Sequence, residues 1–386
     1  MRERFEVTYA TLASIYETRS STPVADRGSR PCIGTIGSGV PIEIALAAGA
    51  AAMAVTPPPR AATPIADTYL DDVVSPDDHR LFEAAVEGDF EPFDLLVLSR
   101  PRQHLFYFLK EIRRLGRAPR APPIWLFDVL PSVRESVRDH NARCLEFLRS
   151  AVERASGRTI VDDDLRAAIA RTNRVREARR RIEDARANGR LTGCEALTAH
   201  GASAFMAPES YVAAVDAWLP QVPTANHLNK TGLLVFSSEP LHDLSLHRLL
   251  EHCGARVTAE DDPLGARGAV ADLSTDRPPM DVLLEACWLG STSRDVYPPE
   301  AAHRWFETNL RRTDVAGVVI HLPPADHKVG WDYPRLAALS QDADRPHLLL
   351  RSDLETAAGR EDAARRSAEF IDQLSRLGAS DRIAAS

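Results

Sequence analysis

The chain has 386 residues, 44% of them hydrophobic and 26% charged, with a net charge of −8. That length accommodates two α/β domains, or two with a helical segment between them, in an ordinary globular composition. The acidic balance, with arginines that alternate with acids and form no basic stripe, argues against nucleic acid as a partner.

The first 130 residues alternate short apolar runs with helical stretches. PCIGTIG (31–37), AAMAVTP (51–57), DLLVLS (94–99) and PIWLFDVL (123–130) read as buried strands. PIEIALAAGA (41–50), DDHRLFEAAVEG (77–88) and RQHLFYFLKEIRRLG (102–116) read as helices. Strand alternating with helix is the pattern of a parallel sheet covered on both faces.

From Pro131 to about Gly193 the pattern changes to long helices. VRESVRDHNARCLEFLRSAVERASG is apolar at helical spacing, and DDDLRAAIARTNRVREARRRIEDARANG opens with three acids and closes on Asn-Gly. Arg179–Arg181 lie among acids and are expected on a solvated face. Beyond Gly201 the alternation returns, with strands at 232–238, 256–261, 315–323 and 346–353 and helices at 245–255, 299–313 and 360–378. The expected architecture is α/β: two Rossmann/flavodoxin-like parallel-sheet domains (1–130 and 201–386) joined by a helical bridging segment (131–200).

No apolar run approaches the roughly 20 residues of a membrane span. The N-terminus, MRERFEVTYATLASIYETRS, carries acids unsuited to a signal peptide. A cytoplasmic protein without membrane contact is expected. The five cysteines (Cys32, Cys144, Cys194, Cys253 and Cys287) are single and widely spaced, without CxxC or zinc-ribbon spacing. They are expected to be plain buried or half-buried thiols.

The stretch IGTIGSGVPIEIALAAGA (33–50) marks the candidate site. A helix beginning at the carboxyl end of a parallel strand is a natural ligand position. Gly37 and Gly39 permit close approach of backbone, Pro41 suits the first helical turn, and Ser38 offers a hydroxyl. Glu43 can orient a ligand or act in acid/base chemistry. Ser38, Gly39 and Glu43 are therefore the candidate substrate-binding residues. The plainer alternative is that Ser38 caps the helix and Glu43 complements its dipole. His79, His104, His321 and His327 are a second possible metal-binding set, although His-x5-His is not a zinc spacing. WLGSTSRDVYPPE (288–300), with Arg294, reads as a polar loop. No Walker A, GxGxxG or GxSxG motif is present.

Four stretches, in order, resemble the subunits of 2-hydroxyacyl-CoA dehydratases and benzoyl-CoA reductases. They are GTIGSGVPIEIALAAGA; DDDLRAAIARTNRVR with LTGCEAL; LLVFSSEPLHDLSLHRLLEHCGARVTAEDD; and LLLRSDLETAAGREDAARRSAEFIDQL, with Arg366 and Phe370 in step. The resemblance implies a heterodimeric dehydratase or reductase acting on acyl-CoA thioesters. Each subunit of that family holds a [4Fe–4S] cluster on three cysteines and receives an electron from an ATP-driven activator. Here Ser75, a site near Pro101, and Pro323 or Pro324 stand where those cysteines are expected. The resemblance thus implies a subunit without a cluster of its own, non-catalytic or regulatory, paired with a homologous cysteine-bearing subunit. The alternative is a stand-alone enzyme or binding protein that reuses the fold for cluster-free chemistry on an acyl-CoA or small acid. No catalytic residue and no metal ligand are assigned.

Overall fold

The computed structural model describes residues 9–19, 28–223, 230–238, 241, 243–290, 299–324, 326 and 329–384. In chain order the elements are α1 (Tyr9–Thr18), β1 (Cys32–Ile36), α2 (Ile42–Ala47), β2 (Ala51–Ala54), α3 (Ala66–Tyr69), α4 (Pro76–Glu87), β3 (Leu95–Ser99), α5 (Gln103–Arg114), β4 (Ile124–Phe127) and α6 (Glu135–Ser156). There follow α7 (Asp162–Ala187), α8 (Gly193–Ala202), α9 (Pro208–Trp218), β5 (Thr231–Ser237), α10 (Ser245–His252), β6 (Ala255–Glu260), α11 (Pro279–Trp288), α12 (Pro299–Leu310), β7 (Gly317–His321), α13 (Tyr333–Asp342), β8 (His347–Leu350) and α14 (Ala357–Ala384). No helix among the described residues is long and apolar enough to cross a membrane.

Two compact units divide the chain. One comprises 1–177, 202–214 and 271–299, the other 178–201, 215–270 and 300–386. These units cut across the consecutive segments expected from composition.

The first unit is built on an all-parallel sheet of order β2-β1-β3-β4. β1 and β3 are buried along their whole length, as continuous apolar runs in a doubly covered sheet must be. Alternate residues serve opposite faces. Ile33, Leu95 and Val97 pack with α2, α6, α7 and α11 through Ile44, Leu148, Ile169 and Leu283. Cys32, Leu96 and Leu98 face α4 and α5 through Phe82, Leu105 and Leu109. The helical stretch expected as a bridge thus contributes α6 and the first part of α7 to this core. α2 lies in the β1–β2 connection, and α4 in the β2–β3 connection that returns past β1. Chain direction therefore reverses between β1 and β3, and the carboxyl ends of these two strands flank the topological switch point.

The second unit repeats the plan with order β6-β5-β7-β8, all parallel, and its switch point lies between β5 and β7. Leu234, Phe236, Val318 and Ile320 pack against Phe306 and Leu310 of α12 and Leu336 of α13. Gly317 lies against Phe370 and Leu374 of α14, where a Cβ would sit 2.6 Å from a Leu374 methyl. Arg179 and Arg180 depart from the solvated face expected of the arginine run, whereas Arg181 keeps to it in an exposed pair with Asp216. Arg179 donates to the carbonyls of Pro263, Leu264 and Gly265 at 3.2, 3.1 and 2.7 Å, and Arg180 to that of Val270 at 2.8 Å. All three oxygens of residues 263–265 face the one Nη2 of Arg179, whose two N–H groups they share.

Candidate functional site

At the carboxyl end of β1 the chain turns through Gly37 (φ +92°) and Gly39 (φ +81°). A Cβ on Gly37 would lie 2.1 Å from Ser99 Oγ, so this position requires glycine for contact as well as for its left-handed backbone. Ser38 sits half-buried at the tip. It does not cap the helix: the residue at the N-cap of α2 is Pro41, in an extended conformation and with no side-chain cap.

Glu43, in the first turn of α2, is 3% exposed. Its Oε1 lies 2.9 Å from Thr172 Oγ1 and 2.6 Å from Arg176 Nη2. Arg176 Nη1 also reaches Thr172 Oγ1 at 2.8 Å and Asn173 Oδ1 at 3.0 Å. Asn173 in turn exchanges two hydrogen bonds with the backbone of Leu273, of 2.8 and 2.9 Å. Two stretches read separately in the sequence, PIEIALAAGA and ARTNRVR, therefore meet. Glu43 is tied to α7 by an ion pair, which fixes the turn carrying Ser38 and Gly39 against the helix.

β3 ends at Ser99 and enters a 3-10 turn, Arg100–Arg102, that includes Pro101. Ser99 Oγ is buried and has no hydrogen-bond partner among the described residues. Arg102 Nη1 donates to Asp78 Oδ1 at 2.6 Å, His104 Nε2 lies 3.0 Å from Asp78 Oδ2, and the Ser75 hydroxyl donates to the same oxygen at 3.0 Å. Ser75 Oγ also accepts from the Asp78 amide, forming the N-cap of α4. Burial alone would raise the Asp78 carboxyl. The His104 hydrogen bond, the Arg102 charge and the Ser75 hydroxyl outweigh it and hold the carboxyl below its ordinary 3.8.

Beyond β4, Asp128 pairs with Arg100, and its carbonyl lies 3.2 Å from His140 Nε2 on α6. Cys144 Sγ, one turn further on α6, is 3.3 Å from the same nitrogen. Burial raises the Cys144 thiol, with a further upward push from Asp128. Cys287, on α11, is pushed up to about 12 by burial, with smaller upward contributions from Glu43 and Cys144. Neither is set to be a nucleophile, which requires a lowered thiol pKa.

Of the four histidines singled out in the sequence, the three that lie among the described residues have separate partners. His79 pairs with Asp67 at 2.9 Å and His104 with Asp78, whereas His321 belongs to the second unit and bonds Ser237 and the Ser352 carbonyl. His327 and Arg294 lie outside the described residues. Among the described residues no three of His, Cys, Asp and Glu are grouped to hold a metal ion. Of the cysteines in the first unit, Cys32 opens β1 at the end opposite Ser38, and Cys144 and Cys287 are on helices. Cys194 and Cys253 belong to the second unit. Among the described residues the cysteines form no group of three, the arrangement in which an iron–sulfur cluster is held.

In the second unit the remaining motif residues also form locks. The Glu251 carboxylate accepts from the amides of Gly193 and Cys194 at the start of α8, at 2.6 and 3.4 Å. Glu260, at the end of β6, binds Arg186 (2.6 Å), His247 (3.1 Å) and the Ala266 amide (2.6 Å). Arg186, Glu260, His200 and His247 are all fully buried, and Glu183 joins Arg186 to His200. Arg186 holds the Glu260 carboxyl far below its usual range despite burial that would raise it. Arg366 donates to the Leu349 carbonyl at 2.8 Å.

The fold and these locks define a two-unit, doubly wound α/β protein with a polar cluster at the switch point of its first sheet. The family model of the 2-hydroxyglutaryl-CoA dehydratase D-component matches residues 38–374, and the chain belongs to that family. No match is found among curated proteins.

Proposed function

We propose that this chain is a subunit of a dehydratase-like complex on acyl-CoA thioesters, without a cluster of its own. In this reading a homologous cysteine-bearing subunit holds the [4Fe–4S] cluster. The present chain serves as its non-catalytic or regulatory partner in the dehydration step, and lends the turn at Ser38 and Gly39 to the acyl-CoA pocket. Glu43 acts there by holding the turn in place through Arg176. Supporting this reading is the network of Asp78 with Ser75, Arg102 and His104. It fills the region of Ser75 and Pro101, where the family resemblance places two cluster cysteines. A buried carboxylate already satisfied by three side chains has no need of a metal at its centre.

The test is iron and acid-labile sulfide in protein purified anaerobically, alone and after co-expression with a cysteine-bearing homologue. The proposal expects neither in the isolated chain, and a stable one-to-one complex carrying the cluster. About four iron and four sulfide per isolated chain would overturn it.

A further inference from the structure

At the switch point of the second sheet, β5 and β7 end side by side, and Ser237 is the register partner of His321. Ser237 Oγ lies 3.2 Å from His321 Nδ1, and His321 Nε2 lies 3.2 Å from the backbone carbonyl of Ser352, just beyond β8. A carbonyl only accepts, so Nε2 carries the ring proton. Nδ1 is then the acceptor, and the hydroxyl of Ser237 donates to it. Burial lowers the pKa of His321, against smaller upward contributions from the Ser352 carbonyl and the Asp353 carboxylate. The ring is thus neutral, with its tautomer set by a fixed acceptor. At the matching switch point of the first unit the strand ends meet as Gly37 beside Ser99. The fold therefore closes this position without an imidazole.

We infer that Ser237 and His321 form a nucleophile–base pair that takes an acyl group from an activated ester or thioester. The logic is that of a hydroxyl activated by an adjacent imidazole that a third group orients. Ser237 Oγ attacks the acyl carbon while its proton passes to Nδ1. The carbon–sulfur bond breaks, and the departing thiolate takes that proton as a thiol. Water then attacks the acyl-serine ester, with Nδ1 as base, releasing the acid and restoring the hydroxyl. No oxidant, reductant or metal is needed.

The amides of Ser238 and Leu322, which flank the pair, are already bonded to His321 and Leu350. With these two amides engaged, neither is available to hold an oxyanion, and acyl transfer without such donors turns over slowly. Covalent capture is therefore the sensitive readout. Ser237 and His321 are 2% and 4% exposed, so the reagent must be small. The full chain would be treated with methanesulfonyl fluoride, which sulfonylates an activated serine with loss of fluoride, and analysed by intact mass and peptide mapping. One adduct per chain at Ser237 is expected, absent in Ser237→Ala and formed about 100-fold more slowly in His321→Gln. No adduct on the folded protein, an adduct at another residue, or equal labelling of His321→Gln would each overturn the inference. The unsubstituted chain decides the matter even if both variants unfold. Because this assay involves no cluster and no partner, its result is independent of the subunit reading above.

Discussion

Removing either end of the Glu43–Arg176 pair has unequal consequences that the geometry specifies. The Glu43 side chain is 4% exposed and that of Arg176 16%. Arg176→Met leaves a buried carboxylate with only the Thr172 hydroxyl as donor, and an uncompensated buried charge costs about 3–5 kcal/mol. Glu43→Gln leaves a guanidinium that still reaches Thr172 Oγ1, Asn173 Oδ1 and some water. Its expected cost is smaller, about 1–2 kcal/mol, the loss of one charge-assisted bond. The double substitution removes both charges together and should cost about as much as Arg176→Met alone, giving a coupling energy of about 1–2 kcal/mol. Urea unfolding followed through Trp125 and Trp288, both in the first unit, measures all four corners of the cycle. A coupling below about 0.5 kcal/mol, or Glu43→Gln costing more than Arg176→Met, would refute the ion pair as the tie between α2 and α7.

Three other outcomes test the same unit. Because Asp78 has a lower pKa folded than unfolded, the stability it adds is complete above the unfolded value, near 3.8, and is lost as pH falls through the folded one. Asp78→Asn should flatten the acid limb of melting temperature against pH and cost about 1–3 kcal/mol at neutrality; an unchanged acid limb would contradict the network. A thiol at about 12 has roughly one part in 10⁴ as thiolate at pH 8, so Cys287 should resist iodoacetamide in the folded chain and react once the chain is unfolded. Glu43→Gln removes one upward contribution to that thiol and should speed its alkylation. Gly37→Ala must place a Cβ 2.1 Å from Ser99 Oγ at φ +92°, with an expected loss of about 2–4 kcal/mol. Ser99→Gly added to it should recover only the steric part, leaving the backbone strain visible in the melting temperature.

The strands were the most legible part of the chain. Seven of the eight are short, mainly apolar runs between turn residues; β6 (ARVTAE) is the exception, with its buried Arg256, Thr258 and Glu260. The sequence locates all eight to within about three residues at each end. Parallel strands buried on both faces have no polar side to interrupt the run, so composition alone marks them. α4, α5, α10 and α12 were legible through polar faces and flanking breakers. α8 was not, because Ala196, Leu197, Thr198, Ala199 and His200 are all buried and a helix buried all round has no period to detect. Arg179 misled for a related reason. Acids beside Arg179 in sequence suggest a solvated face, yet its guanidinium meets carbonyls more than 80 residues away.

The turn at Gly37–Gly39 and the four motif stretches that carry the family resemblance can be read from the sequence by itself, because strand, turn and cap preferences are local. Only the tertiary structure decided what the motif residues do. It joins Glu43 to Thr172 and Arg176 across about 130 positions, and Asp78 to Arg102 and His104 across about 25. It also sets Ser237 against His321 across 84. A charged group reveals its sign in the sequence, but its partner depends on which strands lie side by side. In a parallel sheet neighbouring strands are necessarily separated by crossover connections, so the pairs that build the site are remote in the chain.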